Sequence, residues 1–193
     1  YSIRGNELPT INSLAYIDNN SSVVAITGNN QHIVQNYSTL VARVGSATAN
    51  NGASVSKYVV ECNGITREGT SAGNYNLGSI NSNTNVDLKL TVTDTRGLTA
   101  SKTIKVTMLA HSTPTATVIL ERLNNYEDET YLTVDGSVSS VNGKNTMAIK
   151  YRYKVSGGSY GSYENIMKVH GEFFKSLKSY YLTDDYMFVH AGI

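Results

Sequence analysis

The chain has 193 residues, of which 40% are apolar and 16% are charged, and its formal net charge at pH 7 is +1. This length allows one large or two small domains with a buried core. A net charge so close to zero gives no long-range electrostatic field that attracts phosphates or anionic lipid, which argues against nucleic-acid and membrane-surface binding. Cys62 is the single cysteine, so no intrachain disulfide forms, and we expect it to be a small core residue on a strand. No run approaches the roughly 20 apolar residues of a transmembrane helix.

Short strand patterns follow one another along most of the chain. The clearest is 86–93, where apolar and polar residues alternate strictly, so one face of a strand lies on a core and the other in water. Residues 94–97 are typical of a turn, and 98–109 resumes the alternation, which predicts a β-hairpin over 86–109. Weaker strand signals occur at 11–17, 40–44, 58–62, 118–120 and 147–155. Gly and Asn residues between these runs tolerate positive φ and end the strands.

The strands group into repeated modules. Pro9 and Pro114 each open a β segment, which places a boundary near residue 111. Residues 8–110 have the length of a complete antiparallel β-sandwich of the immunoglobulin or fibronectin type, so the predicted fold is mainly β. Residues 112–165 make about half of a second sandwich, which the tail, another chain or further residues must complete.

Four segments of this body carry a resemblance to a known family. They are residues 25–30, 51–53, 93–97 and, most strongly, the Tyr-rich stretch 150–163. In these segments the chain resembles minor structural proteins of tailed phages with immunoglobulin-like repeats, over about residues 8–165. The resemblance implies a non-enzymatic component of the virion tail, in the tail tip or a fibre, with other tail proteins and further copies of the chain as partners. It implies no cofactor, and no site residues carry over, because the matched positions are architectural.

The tail, 166–193, has a different character. Apolar residues at helical spacing predict a helix over 166–178, and 186–193 is typical of a short strand. Residues 173–193 resemble a fragment of a calcineurin-like serine/threonine metallophosphatase, in which His190 matches a ligand of the two-metal centre. The other metal-binding elements of that class are missing, and the four histidines show no paired ligand spacing. We therefore expect no metal site and no catalysis, with His190 at a strand end or in the core.

Three alternatives to a purely structural role remain at this point, and an inactive fragment of a metallophosphoesterase, with His190 as a metal ligand only if that resemblance is functional, is the first. The many Tyr and Asn residues suit a carbohydrate-binding or adhesive module, with Tyr160 and Tyr163 as the candidate ligand-binding residues and a host-surface glycan as the partner. Calcium held by turn residues such as Asp18 or Asp94 is a weaker alternative, because no loop has the dense acidic ligands of an EF-hand. No acid–base carboxylate pair and no nucleophile elbow stands out, so the sequence favours a non-enzyme.

Overall fold

A computed structural model describes residues 5–122, 130–152, 157–162, 164–165 and 189–191. The chain divides into two compact units, Tyr1–His111 (unit 1) and Ser112–Ile193 (unit 2). The described part is mainly β, with several sheets, one of them curled into a half-barrel, and one short helix. The predicted fold class is confirmed at this level.

Unit 1 contains ten strands and the helix. The strands are β1 Thr10–Ile11, β2 Leu14–Asp18, β3 His32–Val34, β4 Leu40–Val44, β5 Ala47–Thr48, β6 Val55–Cys62, β7 Ile65–Gly69, β8 Gly73–Gly78, β9 Val86–Asp94 and β10 Thr99–Leu109. The helix, α1, spans Ser21–Thr27 between β2 and β3. The hairpin predicted over 86–109 is confirmed, since β9 and β10 pair antiparallel with Thr93 opposite Thr99.

Two main sheets of unit 1 contribute to one core. One sheet has the order β2-β4-β8, and the other has the order β3-β10-β9-β6-β7; β1 and β5 form a separate short pair. All pairs are antiparallel except β3 with β10, which is parallel. Because side chains alternate between the faces of a strand, the inward set of each sheet meets the other. The least exposed members of this core are Ile33, Leu40, Val60, Leu77, Ile80, Leu88, Leu90, Val92 and Val106.

Cys62 lies at the end of β6 within this core, as predicted. Burial, and secondarily the negative charge of Asp87, raises the pKa of its thiol to about 11. Because the thiolate is the reactive form, Cys62 is an inert packing residue at neutral pH.

The helix α1 was not predicted from the sequence. Its seven residues are too few for a helical period to stand out, and its boundaries depend on local capping instead. The side chain of Asn20 accepts hydrogen bonds from the backbone of Ser22 and Val23, and Gly28 ends the helix at φ 67°. Gly tolerates this left-handed conformation without a steric cost.

Side-chain hydrogen bonds close the lateral edges of unit 1. On one side, the Tyr16 hydroxyl on β2 accepts from the Thr107 amide on β10 at 2.9 Å and donates to the Gln31 carbonyl at 3.0 Å. On the other side, Arg67 Nε on β7 donates to the Asn76 carbonyl on β8 at 3.0 Å.

The described residues of unit 2 form five strands. They are β11 Thr115–Arg122, β12 Thr130–Ser137, β13 Met147–Tyr151, β14 Glu164–Asn165 and β15 Val189–Ala191. β11 pairs with β12, and β13 pairs antiparallel with both β14 and β15. Part of the predicted C-terminal strand, β15, thus belongs to a sheet of this unit. The helix predicted over 166–178 lies outside the described residues, as do residues 153–155 of the strand predicted over 147–155.

In the part of the chain that the structure describes, no helix is long and apolar enough to cross a membrane.

Candidate functional site

The sequence predicts two ligand-binding tyrosines, Tyr160 and Tyr163, and the structure describes the first of them. Tyr160 lies near Arg152, whose guanidinium carbon is 4.2 Å from the centroid of the tyrosine ring. This cation–π contact covers one face of the ring. Tyr163 lies outside the described residues.

His190 lies in β15, where it is opposite Ala148 of β13 in the antiparallel register. Among the described residues, no group of three or more His, Cys, Asp or Glu residues is arranged to hold a metal ion. The metallophosphatase resemblance of 173–193 remains a prediction.

Asp94, one of the two aspartates considered for calcium, is an internal hydrogen-bond acceptor. Its side chain is fully buried at the end of β9, and its Oδ2 accepts from Nε and NH2 of Arg96 at 2.9 and 2.6 Å. Its Oδ1 accepts from the backbone amides of Arg96 and Leu98 at 2.8 and 3.0 Å. Both oxygens therefore accept from N–H donors of the β9–β10 turn, including the Arg96 guanidinium, and are engaged without a metal ion.

Arg96 extends this arrangement to the N-terminal segment. Its NH1 and NH2 donate to the carbonyls of Gly5 and Glu7 at 2.7 and 2.8 Å. A planar guanidinium presents several donors in fixed directions, which suits simultaneous contact with a carboxylate and two carbonyls. The pair Asp94–Arg96 therefore fastens the start of unit 1 to the β9–β10 turn.

These contacts predict a specific pH dependence of stability. Burial opposes ionisation of Asp94, but the hydrogen bonds from the Arg96 side chain and from the amides of Arg96 and Leu98, with the Arg96 charge, hold its pKa below 3.8. A lowered folded-state pKa stabilises the protein above the ordinary value, and that contribution disappears as the pH falls through the folded pKa. We expect Asp94→Asn to lower the melting temperature at pH 7 and the gap to wild type to narrow below pH 3.8.

Thermal unfolding followed by circular dichroism between pH 7 and pH 2.5 measures this gap. Asp87→Asn is the control, because Asp87 is an exposed carboxylate that pairs with Lys105 at 2.8 Å. It should stay close to wild type at every pH. A gap for Asp94→Asn that is constant across the pH range would contradict the role assigned to the carboxylate.

Asp18, the other aspartate considered for calcium, also accepts hydrogen bonds from groups within the fold. It is 3% exposed, and its Oδ1 accepts from the amides of Asn20 and Thr39, each at 2.9 Å. Its Oδ2 accepts from the Ser38 hydroxyl at 2.6 Å, while that hydroxyl accepts from the Val34 amide at 2.7 Å. One carboxylate thereby joins the end of β2, the start of α1 and the β3–β4 turn.

A cluster of aromatic and amide side chains lies at the end of unit 1 where β3 and β10 finish. The rings of Tyr37 and His111 are 4.5 Å apart between centroids and inclined at 61°. Gln35 Nε2 donates to Asn81 Oδ1 at 2.8 Å, and Gln35 Oε1 accepts from the His111 amide at 3.3 Å. We call Gln35, Asn36, Tyr37, Asn81 and His111 the aromatic–amide cluster.

The sequence analysis missed this cluster because its members come from three separate places along the chain. Its one local signal is 35–38, a polar turn between two strands that contains an aromatic residue. Asn36 there adopts a φ of 64°, a conformation that Asn tolerates better than most residues. The link to Asn81 and His111 depends on the pairing of β3 with β10, which no local pattern reveals.

Comparison with known proteins gives the origin of the chain. A family model described as "Siphovirus protein of unknown function (DUF859)" matches residues 2–177. The chain belongs to this family. The phage origin expected from the resemblance is confirmed, and residues 178–193 lie beyond the match. No curated protein and no solved structure gave a significant match.

Proposed function

We propose that this siphovirus protein is a non-enzymatic structural component of the phage tail, located in the tail tip or a fibre of the virion, and that it contributes to host-surface attachment. The siphovirus family match supports the phage setting, and the use of the buried carboxylates of unit 1 supports the non-enzymatic part. Asp18 and Asp94 direct their oxygens at donors within the fold. Carboxylates that serve catalysis need an oxygen free for substrate, water or metal.

We further infer that unit 1 is an immunoglobulin-like sandwich. The order β2-β4-β8 in one sheet and β10-β9-β6-β7 in the other corresponds to the two-sheet arrangement of that fold. The chain leaves β2 and joins the second sheet as β3, parallel to β10, so both sheets share the N-terminal strand region. Such sandwiches are rigid spacers that present loops at both ends, which suits a tail component.

The expected partners are other virion tail proteins and further copies of this chain, without a cofactor, nucleic acid or membrane insertion. Unit 2 supports protein contacts, since Val118, Ile119 and Leu120 of β11 are 45–47% exposed. Because successive strand residues point to opposite faces, these side chains leave apolar surface on both faces of the β11–β12 pair. Exposed apolar surface of this kind is typical of what other proteins cover.

Analysis of purified virions tests the proposed role. We expect the protein in density-purified particles at a constant ratio to the major tail protein, and we expect immunogold labelling at the tail. Its abundance in infected cells together with its absence from particles would overturn the proposal. Mn²⁺-dependent release of phosphate from p-nitrophenyl phosphate, abolished in His190→Ala, would overturn the non-enzymatic part and favour the metallophosphoesterase alternative.

A carbohydrate-binding module is the second candidate function. It is compatible with a place in the tail, because attachment to a host surface requires a recognised ligand. The observation that favours it is the aromatic–amide cluster of unit 1, which combines a half-exposed tyrosine with amides held in fixed orientations. Tyr160 supports it less, because Arg152 covers one face of that ring.

A further inference from the structure

We infer that the aromatic–amide cluster of unit 1 is a binding site for a neutral saccharide, with Tyr37 as the stacking residue and Asn81 and Asn36 as hydrogen-bonding residues. This inference rests on the proposed contribution to host-surface attachment. The sequence predicts a ligand site in the Tyr-rich stretch of unit 2, whereas this inference places the site in unit 1.

Tyr37 is exposed and yet fixed in orientation. Its backbone amide donates to the Val34 carbonyl at 3.1 Å, and the inclined contact with His111 restrains its ring. The side chain nevertheless remains 44% exposed, which is unusual for a large aromatic residue in this unit, since Tyr16 and Tyr58 are 7% and 4% exposed. A ring that is already ordered loses little conformational entropy when a pyranose packs its C–H groups against the aromatic face.

The side-chain amide of Asn81 is oriented by a hydrogen bond that leaves its donors available. Asn81 uses its Oδ1 and its backbone carbonyl to accept from Gln35 and Asn63, at 2.8 and 3.4 Å. The Asn81 side-chain NH2 makes no hydrogen bond within the described structure, and neither does the side chain of Asn36. Amide groups both donate and accept, which matches the hydroxyl groups of a sugar, each of which does the same.

The charge of the cluster selects the class of saccharide. Its five members include no Asp, Glu, Lys or Arg. An anionic sugar or a phosphate would therefore find no lysine or arginine in the cluster, and a cationic ligand would find no carboxylate. The chemistry fits a neutral hexopyranose, held by one stacking contact and a few hydrogen bonds.

The experiment is binding of the full chain to an immobilised array of neutral oligosaccharides of glucose, galactose, N-acetylglucosamine and rhamnose, followed by titration calorimetry with the best ligand. We compare wild type with Tyr37→Ala, Tyr37→Phe, Asn81→Ala and Tyr160→Ala. Loss of the stacking ring should weaken binding at least about fivefold, whereas Phe keeps the ring and should stay within about twofold of wild type. Asn81→Ala should weaken binding, and Tyr160→Ala should leave it unchanged. Thermal unfolding of each variant confirms that the fold is intact, and Asn81→Ala keeps the test valid if Tyr37→Ala does not fold.

Two results would overturn the inference. One is a wild-type chain that binds no neutral saccharide on the array, and the other is binding that Tyr160→Ala abolishes while Tyr37→Ala and Asn81→Ala retain it. Either result leaves the proposed place in the tail standing if the protein is found in purified virions. If the protein is absent from virions but binds a saccharide, and Tyr37→Ala loses that binding, the proposed structural role would be wrong and the saccharide site would stand.

Discussion

Replacing Leu90 with alanine is expected to destabilise unit 1 by about 2–5 kcal/mol, the usual cost of a leucine-to-alanine change in a well-packed core. Leu90 lies in β9, which pairs with β10 on one side and β6 on the other, and its side chain is fully buried. The truncation removes apolar contacts and leaves a cavity that the hydrogen-bonded sheet cannot close.

Thr91→Ala is the matched control for Leu90→Ala. Thr91 is the next residue of β9, points to the opposite face and shares a 3.0 Å hydroxyl contact with Ser101. Its loss should change stability by less than about 1 kcal/mol. Urea unfolding followed by circular dichroism measures both variants. Equal effects of the two substitutions would show that β9 does not have the inward and outward faces described above.

The sequence predicted this part of the fold well because the information is local. Strict alternation of apolar and polar residues over 86–93 predicts a half-buried strand, and the turn at 94–97 predicts that the next strand pairs with it in the antiparallel direction. The strands β9 and β10 therefore follow from the local pattern alone. The prediction for 40–44 coincides with β4 because its strand signal is also local. Turn residues were also informative, since Asn63 and Gly64 both adopt positive φ between β6 and β7.

Other parts of the fold depend on contacts between distant residues and could not be predicted. β3 has three residues and pairs in parallel with the end of β10, about 75 residues later in the chain, so its role depends on tertiary contacts. The hydrogen bonds that link the two main sheets have the same origin, since Tyr16 meets Thr107 across 91 positions. A strand pattern indicates which face is buried and is silent about such cross-links.

The candidate site shows the same division. Composition suggested tyrosine and asparagine as ligand-binding residue types, and a Tyr-rich stretch drew attention to Tyr160 and Tyr163. A stretch of sequence rich in tyrosine does not reveal which tyrosine ring is held in a fixed orientation and exposed to solvent. Tyr37 stands alone in its segment. Folding brings His111 against its ring, and Gln35 links His111 to Asn81.

The buried network around Asp18 leads to the second prediction of large effect. Asp18→Ala is expected to destabilise unit 1 by about 2–4 kcal/mol, because the amides of Asn20 and Thr39 and the Ser38 hydroxyl lose their acceptor in a site with little water. Asp18→Asn keeps one carbonyl oxygen for the two amides and should lose less. Asp87→Ala removes an exposed carboxylate from a 2.8 Å ion pair with Lys105 and serves as the control, with an expected loss below about 1 kcal/mol.

Hydrogen exchange separates this network from general loss of packing. Asp18 joins the end of β2 to the start of α1 through Asn20, whose side chain caps that helix. In Asp18→Ala, the amides of 21–28 and of the β3–β4 turn should therefore exchange faster than those of β9, even under conditions where the whole unit stays folded. Leu90→Ala removes no such link, so in that variant protection should fall together across the core strands. Equal exchange profiles for the two variants would mean that the Asp18 carboxylate stabilises the unit globally, without a specific role in holding α1 and the turn.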